Sequence, residues 1–173
     1  MVRNAVTLSY FDPKLPATVG VDASSYGLGA VLLQHHGDIA KPVAYCTGTL
    51  IPTEQCYAQI EKECLAGVWA CERFAQYVTG LPSFKLFTDH KPLIPLLTTK
   101  TLDTAPLRCH HLLVRMMRFN PEPVHVPGKQ LVIADALSRK PQGVSGSDDI
   151  ELEEEVTARY ELTGQHRQKS KLL

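Results

Sequence analysis

The sequence predicts an α/β fold in which a mixed five-stranded sheet is flanked by helices. Three features predict it: three strand-like segments at the start, a long amphipathic helical pattern after them, and another strand-like segment beyond that pattern. A helix between two strands favours a right-handed crossover, which would place the fourth strand parallel to the first. With 173 residues and 44% hydrophobic side chains, the chain is long enough to bury a core.

The first three strands are expected to form an antiparallel meander. Residues 17–23 and 27–34 are predicted as the first two strands, joined by a short turn. A hairpin turn over 35–38 then leads into a third strand over 39–46. Pro42 cannot donate a backbone hydrogen bond, so this third strand is expected at the edge of the sheet.

Residues 53–78 are predicted to form one long helix, because apolar side chains recur there at steps of three and four. Thr53, which follows Pro52, is a candidate N-cap. A fourth strand is predicted over 84–88. The remaining predicted elements are a short helix over 92–97, a helix over 104–119, a strand over 123–126, a turn at 127–128 and a helix over 131–138.

The chain is expected to hold one folded domain, residues 1–140, followed by a linker and a charged, disordered tail over 141–173. The formal net charge is zero, but residues 141–173 hold seven acidic and four basic side chains. The folded part therefore has a small basic excess, which permits nucleic-acid binding without demanding it.

The cysteine pattern indicates reduced thiols. The five cysteines form no CxxC pair, and an odd number without a signal peptide is typical of an intracellular protein, cytoplasmic or nuclear. No apolar run approaches the roughly 20 residues of a membrane span, so no membrane partner is expected.

Four carboxylates stand in apolar or strand-end contexts. Asp22 and Asp89 follow strand-like runs, Glu63 lies in the long helical pattern, and Asp135 lies between Ala134 and Ala136. Acids in such places are costly unless they are paired or bind metal. If the four converge, they form an all-oxygen site for Mg²⁺ or Mn²⁺, as in two-metal phosphodiester hydrolases.

Each acid also lies in a longer motif. In order, the motifs are Asp22-Ala-Ser-Ser-Tyr-Gly-Leu-Gly-Ala-Val-Leu, Tyr57-Ala-Gln-Ile-Glu-Lys-Glu-Cys-Leu-Ala, Thr88-Asp-His-Lys-Pro-Leu, Val126-Pro-Gly-Lys and Ala134-Asp-Ala-Leu-Ser-Arg139. In this order and spacing, over about residues 10–140, the chain resembles the ribonuclease H domain of gypsy-class LTR retrotransposon polyproteins. The resemblance implies the ribonuclease H fold and metal-dependent cutting of the RNA strand of an RNA–DNA hybrid.

The resemblance also implies the roles of the four acids. Asp22 would bridge two Mg²⁺ or Mn²⁺ ions, Glu63 and Asp135 would each hold one side, and Asp89 would complete the set. Such polyproteins further carry a reverse transcriptase polymerase domain and an integrase, which are the expected partners in a parent polyprotein and are not within these 173 residues.

The chain departs from the family pattern at two places. Many ribonucleases H have a mobile histidine shortly before the last aspartate, whereas residues 126–130 hold none. His125 precedes that loop and is expected either to end the fifth strand or to take this role. The family usually has asparagine where Leu131 stands, and that amide would help to hold the substrate backbone.

Glu61 competes with Glu63 for the position on the long helix. The two are about 200° apart around a helix with 3.6 residues per turn, so both cannot face the sheet. Glu63 precedes Cys64-Leu65-Ala66 as in the family motif and is assigned to the site. Glu61 and Lys62 are then expected to be solvated.

Two groups of residues are candidate nucleic-acid contacts. Ser24, Ser25 and Gly27 could approach the hybrid, where 2′-hydroxyls distinguish RNA from DNA, although these residue types also suit a plain turn. Arg108, Arg115 and Arg118 share one helix face with His111. That face is either a phosphate-binding stripe or an ordinary solvated surface.

Three other functions stay open at this point. A non-catalytic connection domain with the same fold would act as a spacer or hybrid clamp. A host protein-interaction role would use the acidic tail as its contact. Another metal-dependent phosphotransferase on this fold, such as an integrase, is disfavoured by the four-acid pattern and by the motif that ends at Arg139.

Overall fold

The computed structural model describes residues 8–99 and 105–139, which form a five-stranded mixed sheet flanked by helices. The strands are β1 Ala17–Ala23, β2 Gly27–His36, β3 Ile39–Thr49, β4 Phe84–Thr88 and β5 Pro121–His125. Their order across the sheet is β3-β2-β1-β4-β5. The pairs β1–β2 and β2–β3 are antiparallel, whereas β4 runs parallel to both β1 and β5. The predicted meander and the predicted parallel placement of β4 against β1 are therefore confirmed.

The helices are α1 Pro52–Gln55, α2 Gln59–Arg73, α3 Ala75–Val78, α4 Leu93–Thr99, α5 Leu107–Met117 and α6 Val132–Arg139. A 3-10 turn, Gly128–Gln130, replaces the simple turn expected at 127–128. None of the helices within the described ranges is long and apolar enough to cross a membrane. The predicted tail, 141–173, and the first residue of the predicted 104–119 helix lie outside the described residues.

Strand β1 is the middle strand of the sheet, and both of its faces are covered. All seven of its residues are buried, and Val19 and Val21 are fully inaccessible. Strand β3 lies at the edge, as Pro42 predicted, and the register of β2 against β3 shifts next to that proline. A proline at an irregular edge position leaves no ladder hydrogen bond unmade.

The prediction of a single helix over 53–78 is wrong, because this segment forms three separate helices, α1, α2 and α3. Ala58 has extended backbone (φ −61°, ψ 153°) and starts α2 in place of the proposed cap Thr53. The Glu61 carboxylate accepts a hydrogen bond from the Ala58 N–H at 3.0 Å, which satisfies a donor that a helix start leaves free. The predicted apolar face is kept, since Cys64, Val68 and Cys71 are fully buried. The break therefore changes the helix ends and not its register.

Helix α6 lies directly on the backbone of β2 at Gly29. A Cβ atom at Gly29 would stand 2.1 Å from the Ala134 carbonyl oxygen and 2.5 Å from the Ser138 nitrogen. Two hydroxyls bind the end of the helix: Thr47 Oγ1 donates to the Leu137 carbonyl at 2.8 Å and Ser24 Oγ to the Ser138 carbonyl at 2.6 Å. The absence of a side chain at Gly29 thus allows α6 to reach the sheet.

We expect Gly29→Ala to destabilise the fold by about 2 kcal/mol or more, since its Cβ would displace the backbone of α6. Gly20→Ala is the matched control, because its Cβ would meet only side-chain carbons of Leu131 and Val31, both at 3.3 Å. Urea unfolding of both variants measures the difference. Equal losses of stability would show that α6 does not need this close approach.

Candidate active site

Three carboxylates from three elements converge at one end of the sheet. Asp22 in β1, Glu63 in α2 and Asp89 after β4 each offer an oxygen, and these oxygens lie within 4.8 Å of one another. Asp135 of α6 lines the same cleft, whose volume is about 340 Å³. The structure thus places the four sequence-predicted acids around one cleft, with three of them in the tight group.

Parallel pairing of the two central strands accounts for two of the acids. Gly20 pairs with Phe87, so Asp22 and Asp89 each stand two residues further along, at neighbouring carboxyl ends. Parallel strands deliver their carboxyl ends to the same edge of a sheet, where loops and side chains can meet. Gly128 lies against this edge, since a Cβ there would stand 2.9 Å from Asp89 Oδ2.

Glu63 is almost fully buried, with 2% of its surface exposed. Its Oε1 accepts a hydrogen bond from Gln59 Nε2 at 2.7 Å, and the same amide donates to the Ala23 carbonyl at 3.1 Å. Its Oε2 is buried, and no group of residues 8–99 or 105–139 hydrogen-bonds it. Burial first, and then the charge of Asp22, raise the pKa of Glu63 to about 8.

Asp22 has one strong partner. Ser138, which is fully buried, donates its hydroxyl to Asp22 Oδ2 at 2.5 Å. Burial raises the pKa of Asp22 above its ordinary value, and the charges of Asp135 and Asp89 add to this, although the Ser138 hydrogen bond opposes it. Burial and like charge both disfavour the ionised form of a carboxyl group.

The donor set fits hard divalent cations. Every candidate ligand is a carboxylate oxygen, the type that Mg²⁺ and Mn²⁺ prefer. The unpartnered Glu63 Oε2 is costly as an anion, and a cation beside it would remove that cost. The same positive charge would offset the burial and the neighbouring negative charges that raise the pKa values of Asp22 and Glu63.

Residues 12–119 match the family described as the RNase H-like domain found in reverse transcriptase. The chain belongs to this family. It is 38% identical over 126 residues to the retrovirus-related Pol polyprotein from transposon opus of Drosophila melanogaster, which covers 73% of this chain and 12% of that polyprotein. It is 35% identical over 135 residues to the corresponding polyprotein from transposon gypsy of the same organism, covering 78% of this chain and 12% of the other.

The chain therefore spans about an eighth of the length of these curated relatives. Among solved structures it is similar to LC11-RNase H1 in complex with RNA/DNA hybrid, with a TM-score of 0.57 and 14% identity. That match covers 74% of this chain and 96% of the other. The fold is thus that of ribonuclease H, as the resemblance implied.

Four further residues at the site of this RNase H-like domain lie within the family motifs, where no role was predicted for them. Gln59 and Ser138 hold the two buried acids, and His90 and Arg139 line the cleft beside them. Arg139 Nε donates to Asp135 Oδ1 at 2.8 Å, and burial lowers the pKa of His90. Position relative to an acid was the available signal, because His90 follows Asp89 directly and Arg139 follows Asp135 by one helical turn.

The two sequence departures have plain structural counterparts. His125 is the last residue of β5, which agrees with the first of its two predicted roles. Leu131 is buried, and a Cβ at Gly20 would lie 3.3 Å from its Cδ2. An apolar side chain at 131 thus contributes to packing against β1 in this domain, where an amide would need hydrogen-bond partners.

The turn residues proposed to contact nucleic acid differ in their surroundings. The Ser24 hydroxyl already accepts from the Gly27 N–H at 2.9 Å and donates to the end of α6, and Gly27 is buried. Ser25 is exposed. Of the three, Ser25 is the one whose side chain faces solvent, whereas Ser24 chiefly holds the turn and the helix together.

The arginines of α5 bind α2. Arg115 makes a bidentate contact with Glu72 at 2.8 and 2.9 Å, and Arg118 reaches the same carboxylate at 3.4 Å. Arg108 pairs with Glu61 at 2.8 Å. None of the three lines the acidic cleft within the described part of the chain, so their role as phosphate contacts stays a prediction.

The expectation that Glu61 and Lys62 are solvated is wrong. The Glu61 side chain is 13% exposed because it both starts α2 and pairs with Arg108. Lys62 is buried, at 8% exposure. The helical wheel correctly separated Glu61 from Glu63, but it could not show that a second helix, α5, covers the Glu61 side.

We expect Glu63→Gln to change how stability depends on pH in EDTA. The pKa of Glu63 is about 8 in the folded chain against an ordinary value of 4.5. Its contribution to stability is therefore complete below pH 4.5 and is lost as the pH rises through 8. Glutamine does not ionise, so the variant should gain up to a few kcal/mol over wild type between about pH 5 and about pH 9. A stability difference in urea that is the same at both pH values would contradict the buried position of this acid.

Proposed function

We propose that this RNase H-like domain is an endoribonuclease that hydrolyses the RNA strand of RNA–DNA hybrids with two divalent metal ions. The observation that carries the proposal is the group of Asp22, Glu63 and Asp89 oxygens within 4.8 Å, with one buried Glu63 oxygen unpartnered. Asp135 across the same cleft supplies the fourth acid. A domain that had lost catalysis would have no need to keep this costly arrangement.

Asp22, Glu63, Asp89 and Asp135 would hold the ions, Mg²⁺ or Mn²⁺. When bound, two such ions would lower the pKa of an attacking water and stabilise the leaving 3′ oxygen. Asp22, the buried aspartate of the tight group, would hold both ions.

The protein's own contribution is to keep these carboxylates in place before the substrate arrives. Gln59 holds Glu63 through one amide N–H and ties it to β1 through the other. The Arg139 guanidinium holds one Asp135 oxygen. Preorganised charged groups do not need to reorganise during the reaction, and this lowers its barrier.

The relatives and the acidic lining of the cleft support this substrate class. The LC11 enzyme was solved with an RNA/DNA hybrid, and the transposon relatives are Pol polyproteins. In a parent polyprotein the partners would be a reverse transcriptase polymerase domain and an integrase, acting in the cytoplasm or nucleus. Ser25 is exposed and follows Ser24, which lines the cleft, and it would contact a 2′-hydroxyl or phosphate of the RNA strand.

Purified chain should cleave the RNA strand of a labelled hybrid when Mg²⁺ or Mn²⁺ is present, and should leave duplex DNA intact. Asp22→Asn should abolish cleavage while the circular dichroism spectrum stays that of the folded protein, because the amide removes the charge that binds cations. If the folded wild-type chain binds the hybrid but does not cut it, the proposal is wrong and the domain is a non-catalytic connection domain.

Glu63→Gln should reduce cleavage far more than Glu61→Gln. Residues that only support metal ligands cost about 10–100-fold when changed, so loss of a direct ligand should cost at least 100-fold. Glu61 instead starts the helix and pairs with Arg108, so its variant should lose stability of about 1 kcal/mol with little loss of rate. The measurement is the cleavage rate as a function of Mg²⁺ concentration. Greater loss in Glu61→Gln would exclude Glu63 from the metal site.

A further inference from the structure

Ser138 is the one residue of α6 that hydrogen-bonds an acid of β1. It is fully buried, its hydroxyl lies 2.5 Å from Asp22 Oδ2, and the alternative acceptor, the Asp135 carbonyl, lies at 2.9 Å. A hydroxyl has one hydrogen to donate, and a carboxylate is the stronger acceptor. The hydrogen bond therefore goes to Asp22 and fixes the orientation of its carboxylate.

The surrounding backbone brings this hydroxyl to Asp22. Asp22 pairs with Gly29 on the neighbouring strand, and Gly29 is the residue on which α6 lies, with the Ser138 nitrogen beside it. Ser24, two residues after Asp22, binds the Ser138 carbonyl at 2.6 Å. Ser138 is thus held from both sides at the point where it reaches the carboxylate.

We propose that Ser138 is a positioning residue that sets the orientation of the Asp22 carboxylate in the acidic cleft and thereby its affinity for divalent cations. The inference rests on the proposed function, since it assigns Ser138 to the same metal site. Because Asp135 lies one turn earlier on α6, the same hydrogen bond fixes the distance between the acid of the helix and the acid of β1. Changing a group that orients a metal ligand in this way typically lowers metal affinity by about 10–100-fold.

The test compares Ser138→Ala with Thr47→Val. Both remove a hydroxyl that holds α6, because Thr47 Oγ1 donates to the neighbouring Leu137 carbonyl at 2.8 Å, whereas the Ser138 hydroxyl donates to Asp22. Mn²⁺ affinity of the purified chain, measured by electron paramagnetic resonance without nucleic acid, is the first readout. We expect Ser138→Ala to weaken Mn²⁺ binding about tenfold or more and Thr47→Val to leave it within about twofold.

Equal losses in the two variants, or no loss in either, would overturn the proposal and leave Ser138 as an anchor of the helix. A second measurement distinguishes failure of the proposed role of Ser138 from failure of the proposed function. Urea unfolding of Ser138→Ala, Asp22→Ala and the double variant in EDTA forms a thermodynamic cycle that needs no metal. We expect the two changes to be coupled by at least about threefold in the unfolding equilibrium constant.

If the wild-type chain binds no Mn²⁺, the proposed function is wrong. The thermodynamic cycle then tests by itself whether Ser138 holds the Asp22 carboxylate. Additive effects in the cycle would then show that the hydroxyl does not hold the carboxylate, and would overturn the inference as well. If the cycle shows coupling but Ser138→Ala binds Mn²⁺ normally, Ser138 contributes only to the stability of the fold. That result would also overturn the inference.

Discussion

Two carboxyl groups, Asp22 and Glu63, are buried side by side at the end of the central strand. The stability of the site depends on how the negative charges of these two groups are compensated. Burial raises the pKa of both, so a chain without cations loses stability as they ionise. Asp22 accepts a hydrogen bond from Ser138, and Glu63 accepts one from Gln59. Within the described part of the chain, no hydrogen bond reaches the buried Glu63 Oε2. A bound cation would offset the cost of this arrangement, which is the physical basis for proposing metal-dependent chemistry for this domain.

Helices α6 and α2 carry two of the acids, and each is fixed in place either by close packing on a glycine or by polar side-chain contacts. Helix α6 reaches β2 because Gly29 has no side chain, and it is held there by the hydroxyls of Ser24 and Thr47. Helix α2 is held against α5 by Glu61 and Glu72 with the arginines of α5. Fixing both helices fixes Asp135 and Glu63 relative to β1, so fold stability and the geometry of the acids are coupled.

Local pattern predicted the sheet well, because β1 and β4 are short apolar runs with clear ends, and the crossover followed from their order. The long helix was mispredicted because no glycine or proline marks the break before Ala58, which depends on the hydrogen bond that the Ala58 N–H donates to the Glu61 carboxylate. Pattern also found the four acids, yet it missed their partners. Ser138 lies 116 positions from Asp22, and only the folded chain shows that the two meet. The α5 arginines illustrate the same limit, since a shared helix face does not reveal that Glu72 lies opposite.

Anomalous diffraction from crystals of the chain soaked in Mn²⁺ tests the central claim most directly. The account predicts Mn²⁺ peaks in the acidic cleft, with Asp22 and the Glu63 oxygen that lacks a hydrogen bond among the ligands. Mn²⁺ bound elsewhere on the chain, with the cleft empty and Glu63 still buried, would contradict it. In that case the buried acids would be a feature of the fold alone, and the assignment of metal-dependent hydrolysis to this domain would fall.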